Sequence, residues 1–296
     1  MPRSVLSPTR QAMDTARPSA AIDLPSQAAG SAIVEVKALT RRFGIFVAID
    51  HVSFSVRRGE VFGLIGANGA GKSTIVRMLT TLLPVTSGTA TVAGYDLLRK
   101  PGEVRKHIGY VPQLMSADGD LTAYENLLLS ARLYGLPSRE IRPRIEQALS
   151  TMDLAPFSHR LVKGFSGGMI RRLEIAQGLL HRPAILFLDE PTVGLDPAAR
   201  HAVLDHLAQL RAKTATTIVI TSHYMEEIEE LCDRLGVLNE GKLAALGSPA
   251  ELEERIGPDA TLDDVFAIFA GAKSGPTQMQ AYRDARLSRR AARSHG

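Results

Sequence analysis

The sequence VFGLIGANGAGKST, residues 61–74, decides the fold and carries the first functional signal. Gly66, Gly71, Lys72 and Ser73 match the phosphate-loop pattern, in which a glycine and four further residues precede Gly, Lys and Ser or Thr. An apolar run that suits a buried strand comes before the loop. Apolar residues at helical spacing follow it: Ile75, Val76, Met78 and Leu79. The stretch therefore predicts a strand, a phosphate-binding loop and a helix in succession.

The residue types in this loop suit the chemistry of a triphosphate. Gly66, Gly69 and Gly71 have no Cβ, so the backbone can curve into a nest of N–H donors. A helix that begins near Lys72 directs the positive end of its dipole at the same anion. Lys72 adds a charge for the β- and γ-phosphates, and the Ser73 hydroxyl can hold Mg²⁺. The alternative is a glycine-rich turn that matches by chance, which the flanking strand and helix disfavour.

The length and composition indicate a folded protein without a membrane span of its own. The 296 residues allow one or two domains, and the 45% hydrophobic and 22% charged content is typical of soluble globular proteins. No apolar run approaches the ~20 residues that span a bilayer, so we expect any membrane part to belong to another chain. Residues 1–30 lack the apolar segment of a secretory signal and are expected to be a disordered N-terminal extension.

The chain contains a single cysteine, Cys232, which excludes an internal disulfide. A cytosolic, reducing setting is the natural interpretation of this cysteine usage. We expect Cys232 to lie in a helix as a small packed side chain rather than to act as a nucleophile.

The net charge of +4 is concentrated at the two ends of the chain. Residues 1–30 carry +1 and residues 272–296 carry +5, which leaves −2 for residues 31–271. A basic face for nucleic acid is therefore not predicted, and we expect no nucleic-acid partner. The Arg-rich residues 272–296 are expected to be a disordered soluble tail, with contact to anionic lipid as the alternative.

Strands and helices alternate through most of the chain, which predicts an α/β fold with right-handed βαβ crossovers. Short apolar or alternating runs predict the strands: 33–36, 52–56, 90–93, 108–111, 185–188 and 217–221. The run 185–188 is apolar throughout, as in a strand buried on both faces. Asp189 and Glu190 follow at its carboxyl end, where ligands bind in parallel sheets. Residues 121–157 have helical spacing and are predicted to be a helical insertion.

A further helix is predicted to begin at Phe165-Ser166-Gly167-Gly168-Met169 and to end before Pro183. Its apolar side comprises Met169, Leu173, Ala176 and Leu180. Three charged residues are expected to lie off that side: Arg171, Arg172 and Glu174. Four glutamates later in the chain are expected to form a solvated helix face: Glu226, Glu227, Glu229 and Glu230.

Six short segments follow one another in a fixed order: 66–74, Gln113, 165–169, 185–189 with Glu190, 194–196, and His223. They resemble, in the same order, the Walker A, Q-loop, signature, Walker B, D-loop and switch-histidine motifs of the nucleotide-binding subunit of ATP-binding cassette (ABC) transporters. The resemblance extends from Ile33 to Leu246. It implies a P-loop NTPase cassette at residues 31–246, with a RecA-like mixed-sheet core, an antiparallel β subdomain and a helical subdomain at about 114–180. A short C-terminal helical extension is expected at 247–271.

The resemblance implies roles in ATP hydrolysis, a reaction that depends on positioned groups and charge stabilisation. Ser73, Gln113 and Asp189 would hold Mg²⁺. Glu190 would orient or deprotonate the attacking water, and His223 would donate a hydrogen bond to the γ-phosphate. Gln113 would also contact that water and report the nucleotide state to a partner.

The resemblance implies further contacts with ATP. Phe43 resembles the aromatic residue that stacks on adenine. Lys72 would contact the β- and γ-phosphates and take part in catalysis. The other residues of the loop would bind the nucleotide as well: Gly66, Asn68, Gly69, Ala70, Gly71, Ser73 and Thr74.

Four of these residues have simpler alternatives that the sequence leaves open. Glu190 could be a helix cap or a solvated acid, and Gln113 an ordinary polar loop residue. His223 could stand at the start of a helix, and Phe43 could be a core side chain.

The segment Ser166-Gly167-Gly168 suits a γ-phosphate because its amides lie at a predicted helix N-terminus. In the family, the signature of one subunit closes over the ATP held by the Walker A loop of the other. The resemblance therefore implies a homodimer in which Asp196 of the D-loop also lies near the nucleotide, and which opens on hydrolysis. Phe165 and Met169 depart from the Leu and Gln of the commonest signature.

Residues 192–197 and 261–266 resemble the daunorubicin-resistance and nodulation-type group, whose members pair with a separate multi-helix ABC-2-type permease and export drugs, lipids or glycans. For 261–266 the alternative is an amphipathic helix packed on the core.

We therefore predict an ATP-hydrolysing exporter subunit, peripheral on the cytoplasmic face of the cell membrane. The alternative function is a soluble ABC-type ATPase that acts on ribosomes or nucleic acid, but such proteins usually carry a second cassette or a long coiled-coil insertion.

Overall fold

The computed structural model describes residues 32–214 and 216–270. The predictions for residues 1–30 and 272–296 lie outside the described residues. The strands of the described chain are β1 (Ala32–Phe43), β2 (Phe46–Arg57), β3 (Val61–Gly66), β4 (Ser87–Val92), β5 (Tyr95–Asp96), β6 (Ile108–Val111), β7 (Ile185–Asp189), β8 (Thr217–Ser222), β9 (Arg234–Asn239) and β10 (Lys242–Gly247). The α-helices are α1 (Lys72–Leu79), α2 (Pro101–His107), α3 (Ala123–Leu133), α4 (Ser138–Thr151), α5 (Gly167–Leu179), α6 (Pro197–Lys213), α7 (Met225–Leu231), α8 (Pro249–Ile256) and α9 (Leu262–Phe269). Short 3₁₀ turns occupy Ala155–Phe157 and Val162–Gly164.

The larger sheet contains the strands that carry most of the predicted motifs. Its order is β10-β9-β3-β8-β7-β6, and neighbouring strands from β9 to β6 are parallel, whereas the edge strand β10 is antiparallel. Strands β3, β7 and β8 are buried along their whole length, as expected for strands covered on both faces. Because these strands run in the same direction, their carboxyl ends meet at one edge of the sheet. The predicted α/β fold with a mixed-sheet core is confirmed.

The smaller sheet is antiparallel, with the order β2-β1-β4-β5. Strands β1 and β2 form a long hairpin whose last pair is Phe43 opposite Phe46. The two sheets share a hydrophobic core, in which Phe54 of β2 stacks on Phe62 of β3 with ring centroids 5.3 Å apart. This packing holds the hairpin against the parallel sheet.

Helices α3, α4 and α5 pack on one another through buried side chains such as Leu127, Leu149 and Leu173. Helix α3 begins at a capping box, because the Thr122 hydroxyl accepts from the Glu125 N–H and the Glu125 carboxylate accepts from the Thr122 N–H. The stretch 121–157 that was predicted to be helical therefore contains α3, α4 and one 3₁₀ turn. Helix α5 also packs against β6.

The C-terminal helices pack on the same core. The segment 261–266 forms the N-cap and first turns of α9, whose Leu262 and Val265 are buried. This arrangement matches the alternative of an amphipathic helix packed on the core.

The prediction that Cys232 lies within a helix is wrong by one residue. Helix α7 ends at Leu231, and Cys232 has the extended backbone that leads into β9. Its side chain is buried and packs in the core, and burial raises the pKa of its thiol. A thiol that resists ionisation is a poor nucleophile, so the predicted packing role agrees with the structure.

Strand β6 and helix α5 approach each other closely through two glycines. A Cβ added to Gly109 would overlap the carbonyl oxygen of Gly178 and lie 2.9 Å from a methyl group of Leu186. Gly109 therefore permits a backbone approach that a larger residue would prevent. This contact sets the distance between α5 and the strand that leads to Gln113.

We expect Gly109→Ala to destabilise the protein by about 1–3 kcal/mol, because overpacking would push β6 and α5 apart. Urea unfolding followed by circular dichroism measures the change at constant m-value. Gly102→Ala is the matched control, because a Cβ at Gly102 in α2 meets open space. That control should be neutral or stabilising by about 0.4–1 kcal/mol. Equal effects of the two substitutions would contradict the close approach.

Candidate functional site

Asp189 lies at the centre of a hydrogen-bonded group at the carboxyl edge of the parallel sheet. It ends β7 and is fully buried. Its Oδ1 accepts hydrogen bonds from the hydroxyl of Ser73 at 2.9 Å and from the hydroxyl of Thr221 at 2.7 Å. Its Oδ2 is buried and has no hydrogen-bond partner among the described residues. A buried carboxylate oxygen without a partner suits a hard cation or a water bound to one.

The phosphate loop has the geometry that its glycines predict. Gly71 has φ +107 and precedes α1 without a side chain that could cap the helix, so the first N–H groups of α1 can serve an anion. A Cβ at Gly66 would lie 2.6 Å from the carbonyl oxygen of Leu238, so this position requires glycine. The Lys72 ammonium is buried, donates to Gly66 O at 2.9 Å and lies 3.2 Å from Glu190 Oε1.

Glu190 occupies a strained and buried position directly after β7. Its φ is +46, in the left-handed region that costs energy for a residue with a side chain. Its N–H donates to the carbonyl oxygen of Thr221 at 3.1 Å and to the Thr221 hydroxyl at 2.9 Å, which holds this conformation. The residue is only 6% exposed and starts no helix, so the alternatives of a solvated acid or a helix cap are wrong.

Gln113 and His223 approach the same carboxylate from two other loops. Gln113 Nε2 donates to Glu190 Oε2 at 3.2 Å, and His223 Nδ1 lies 3.5 Å from that oxygen. His223 precedes Tyr224, the N-cap of α7, and its ring packs against the Tyr224 ring with centroids 4.2 Å apart. His223 is therefore not the first residue of a helix. The structure brings a lysine, a glutamine and a histidine around one glutamate.

A cleft of about 640 Å³ opens over this group, within the range of small-molecule sites. The predicted site residues that line it are Phe43, Asn68, Gly69, Gly71, Lys72, Ser73, Thr74, Gln113, Glu190 and His223. Phe46, Ala48 and Val193 line it as well. Three predicted residues, Gly66, Ala70 and Asp189, are buried beneath it rather than exposed to it.

Phe43 lies at the rim of the cleft and is 46% exposed, so the alternative of a core side chain is wrong. The Arg41 guanidinium lies 4.5 Å from the ring centroid and covers one face of the ring. Sequence reasoning missed Phe46, which pairs with Phe43 across the hairpin and is 64% exposed. The sequence signal that could have identified Phe46 is a second aromatic residue three positions after Phe43.

The predicted signature and D-loop residues do not enter the cleft of their own chain. Ser166 is exposed and caps α5 by accepting a hydrogen bond from the Met169 N–H at 3.3 Å. Asp196 caps α6 in the same way through the Ala199 N–H at 2.9 Å. The two helix starts adjoin, since a Cβ at Gly168 would lie 2.9 Å from the Ala199 Cβ. One chain therefore presents them together on a surface outside this cleft.

The prediction that all four glutamates after His223 are solvated is wrong for Glu227. This residue is 1% exposed and accepts hydrogen bonds from the hydroxyls of Thr192 and Ser222, the latter at 2.7 Å. It therefore links the segment after Glu190 to the segment before His223. Thr192 lies 35 residues before Glu227, and Ser222 belongs to no recognisable motif, so the sequence did not reveal either contact.

The charged residues of α5 were predicted to lie off its apolar side, and the sequence did not reveal that Arg171 and Glu174 are buried. They are 1% and 3% exposed and form a buried ion pair at 2.9 Å, whereas Arg172 is only partly buried. Burial lowers the pKa of Arg171, and the carboxylate of Glu174 opposes that shift. Both side chains bind the loop that contains Gln113.

The fold and the cleft define a nucleotide-hydrolysing P-loop cassette, because a phosphate loop, a buried aspartate and an adjoining glutamate meet at one edge of a parallel sheet. Residues 49–193 match the family model described as ABC transporter. The linearmycin resistance ATP-binding protein LnrL of Bacillus subtilis is 39% identical over 230 residues, which are 78% of this chain and 74% of that protein. The chain belongs to the ABC transporter family.

Two further comparisons agree with this assignment. The Nod factor export ATP-binding protein I of Ralstonia nicotianae is 43% identical over 74% of this chain and 68% of its own length. A solved structure described as an ATP-binding subunit of an ABC transporter has a TM-score of 0.71 and 32% identity, and covers 80% of this chain and 99% of that one. The relatives support the predicted ATP-driven exporter subunit over an ATPase that acts on ribosomes or nucleic acid, and the predicted ATPase class is confirmed.

Across residues 32–214 and 216–270, no helix combines the length and the apolar character that a membrane crossing requires.

We expect Phe43→Ala to weaken ATP binding by about 1–3 kcal/mol, because it removes the ring on which the base would stack. Stacking does not depend on a particular base edge, so GTP should lose a similar amount. Titration with a fluorescent nucleotide analogue measures both affinities. Ile45→Ala is the control, since Ile45 is fully exposed at the same hairpin tip and does not line the cleft. Unchanged affinity in Phe43→Ala would rule out the stacking role.

Proposed function

We propose that two copies of this chain bind two ATP molecules between them, and that hydrolysis of this ATP drives export through a separate multi-helix permease. The proposal rests on the position of Lys72, Gln113 and His223 around Glu190, beside an oxygen of Asp189 that has no hydrogen-bond partner in the described part of the chain. Relatives named for linearmycin resistance and Nod factor export support a drug, lipid or glycan as the exported molecule. The chain would act peripherally on the cytoplasmic face of the cell membrane.

The residues present fit a Mg²⁺ ion. The Ser73 hydroxyl and the Asp189 carboxylate are hard oxygen donors at the carboxyl edge of the sheet, and Asp189 Oδ2 has no partner within the described chain. Ser73 and Asp189 would hold the ion, with the side-chain oxygen of Gln113 as a further ligand. When bound, Mg²⁺ neutralises charge on the β- and γ-phosphate oxygens.

Glu190 would orient the attacking water and accept its proton. The water oxygen forms a bond to the γ-phosphorus, the bond from that phosphorus to the β–γ bridging oxygen breaks, and ADP and inorganic phosphate result. Lys72 lies 3.2 Å from Glu190, so binding of the γ-phosphate by Lys72 would compete with this ion pair. The nucleotide itself would thereby release the carboxylate for its role as a base.

Gln113 and His223 would keep the glutamate and the water in line with the γ-phosphorus. Both approach Glu190 Oε2, at 3.2 Å and 3.5 Å, so they restrict the rotation of its carboxylate. His223 would also donate a hydrogen bond to the γ-phosphate. Positioning of this kind contributes much of the rate of phosphoryl transfer, because the protein supplies little covalent chemistry.

A second copy of the chain would complete the site. Ser166 and Asp196 begin adjoining helices on a surface that does not enter their own cleft. The amides of Gly167 and Gly168 at the start of α5 suit the γ-phosphate of an ATP held by the partner. ATP would therefore join two faces, and its hydrolysis would separate them.

The loop after Gln113 offers a contact for the permease. Leu114 and Met115 follow Gln113 directly and are 81% and 44% exposed. Apolar side chains exposed beside a nucleotide-sensing residue support the proposal that this loop transmits the nucleotide state to the membrane partner.

We expect Glu190→Gln to bind ATP with Mg²⁺ and to form a stable dimer without turnover, because the amide keeps the shape of the carboxylate but accepts no proton. Light scattering after size exclusion reports the mass, and phosphate release reports turnover. A protein that stays monomeric at saturating ATP and Mg²⁺ would contradict the nucleotide sandwich.

The control adds Ser166→Asp to the Glu190→Gln chain. Aspartate preserves the N-cap of α5 but places a negative charge where the γ-phosphate would bind. We expect this double variant to bind ATP and remain monomeric. Dimerisation of the double variant would show that the signature lies outside the interface.

A further inference from the structure

We propose that Arg171 and Glu174 are positioning residues that hold Gln113 beside Glu190. Both lie on helix α5, and their side chains form hydrogen bonds with the two ends of the loop 112–117. The inference rests on the role proposed for Gln113 at the nucleotide site. It gives a function to this buried ion pair. Among the residues that line the cleft, the charged groups contact Gln113, and they do so through its backbone carbonyl oxygen.

Arg171 fixes the beginning of this loop. Its side chain is 1% exposed, its Nη1 donates to Pro112 O at 2.7 Å, and its Nη2 donates to Gln113 O at 2.8 Å. The planar guanidinium presents several donors in a rigid arrangement, so two successive carbonyl groups are held in one orientation. The backbone of Gln113 is therefore set directly by α5.

Glu174 fixes the end of the loop. Its Oε2 accepts from Arg171 Nη1 at 2.9 Å, which orients the carboxylate. Its Oε1 accepts from the Ser116 N–H, from the Ser116 hydroxyl at 3.2 Å and from the Ala117 N–H at 3.3 Å. The two charged residues are three positions apart on one helix, so both ends of the loop are attached to the same rigid element.

The middle of the loop is only partly covered by the rest of the protein. Leu114 is 81% exposed and Met115 is 44% exposed, while the Gln113 side chain reaches Glu190 at 3.2 Å. The position of that side chain therefore depends on the polar contacts at the two ends. An apolar pair could fill the same volume on α5, but it would provide no directional bonds to backbone carbonyl and N–H groups.

We expect Arg171→Lys to lower kcat for ATP by about tenfold, as is usual when a supporting contact of a functional residue is lost. Lysine keeps the positive charge beside Glu174, but its single terminal nitrogen cannot bind both carbonyl groups with the same geometry. The Kd for ATP should change by less than about twofold, because the phosphate loop is untouched. Arg172→Lys is the matched control: the Arg172 side chain donates to Met152 O at 2.9 Å instead, and its kcat should equal that of the wild type.

A double-mutant cycle separates positioning from general loss of structure. In a Gln113→Ala chain, Arg171→Lys should lower kcat no further, because the residue on which it acts is absent. Full additional loss in that background, or an equal loss in Arg172→Lys, would overturn the proposal. A wild-type chain that releases no phosphate would contradict the proposed function instead.

Hydrogen exchange tests the attachment of the loop to α5 independently of the rate of ATP hydrolysis. In Glu174→Ala, the amides of Ser116 and Ala117 should exchange faster than in the wild type, while the core amides of β7 keep their protection. Unchanged exchange at both amides would overturn the proposal that Glu174 holds the end of this loop, whatever the rate of ATP hydrolysis.

Discussion

The rest of the site depends on two hydrogen bonds to one oxygen of the buried Asp189, which come from the hydroxyls of Ser73 and Thr221. They join the phosphate loop after β3 to the ends of β7 and β8. Burying a carboxylate is costly unless its charge is satisfied, and two hydroxyl donors satisfy one oxygen while leaving the other without a partner among the described residues. The arrangement therefore fixes the loop and leaves a carboxylate oxygen that suits a cation.

The same edge of the sheet also determines the position of the neighbouring glutamate. Thr221 binds the Asp189 carboxylate and, through its hydroxyl and carbonyl oxygens, the N–H of Glu190, so one strand end holds two successive acids. This contact supports the left-handed backbone of Glu190, which aims its carboxylate towards Lys72 and Gln113. Gln113 in turn is held through its backbone by Arg171. Local strain and buried charge are thus stabilised by hydrogen bonds that reach from one element to the next.

Much of this arrangement could be predicted because parallel strands place their carboxyl ends together, so motifs at strand ends must meet. That reasoning placed Asp189 and Glu190 at this edge, and the family resemblance implied that Lys72, Gln113 and His223 contact the same nucleotide. Sequence reasoning did not reveal the buried contacts of Arg171, Glu174 and Glu227, because their partners include backbone carbonyl and N–H groups and hydroxyls that have no sequence signature. Phe43 remained ambiguous because a single aromatic residue does not indicate whether it is buried. The role proposed for the segment Ser166–Gly168 involves a second copy, which the geometry of one chain does not show.

The most direct test of the account is the Mg²⁺ dependence of phosphate release by Asp189→Asn beside the wild type. Asparagine keeps the shape of Asp189 and an oxygen that can accept from Ser73 and Thr221, but it loses the charge that would attract the cation. The account predicts that the Mg²⁺ concentration for half-maximal phosphate release rises by about 10–100-fold, while the thermal unfolding midpoint stays near that of the wild type. An unchanged Mg²⁺ dependence at an undiminished rate would contradict the claim that this carboxylate forms the centre of the site.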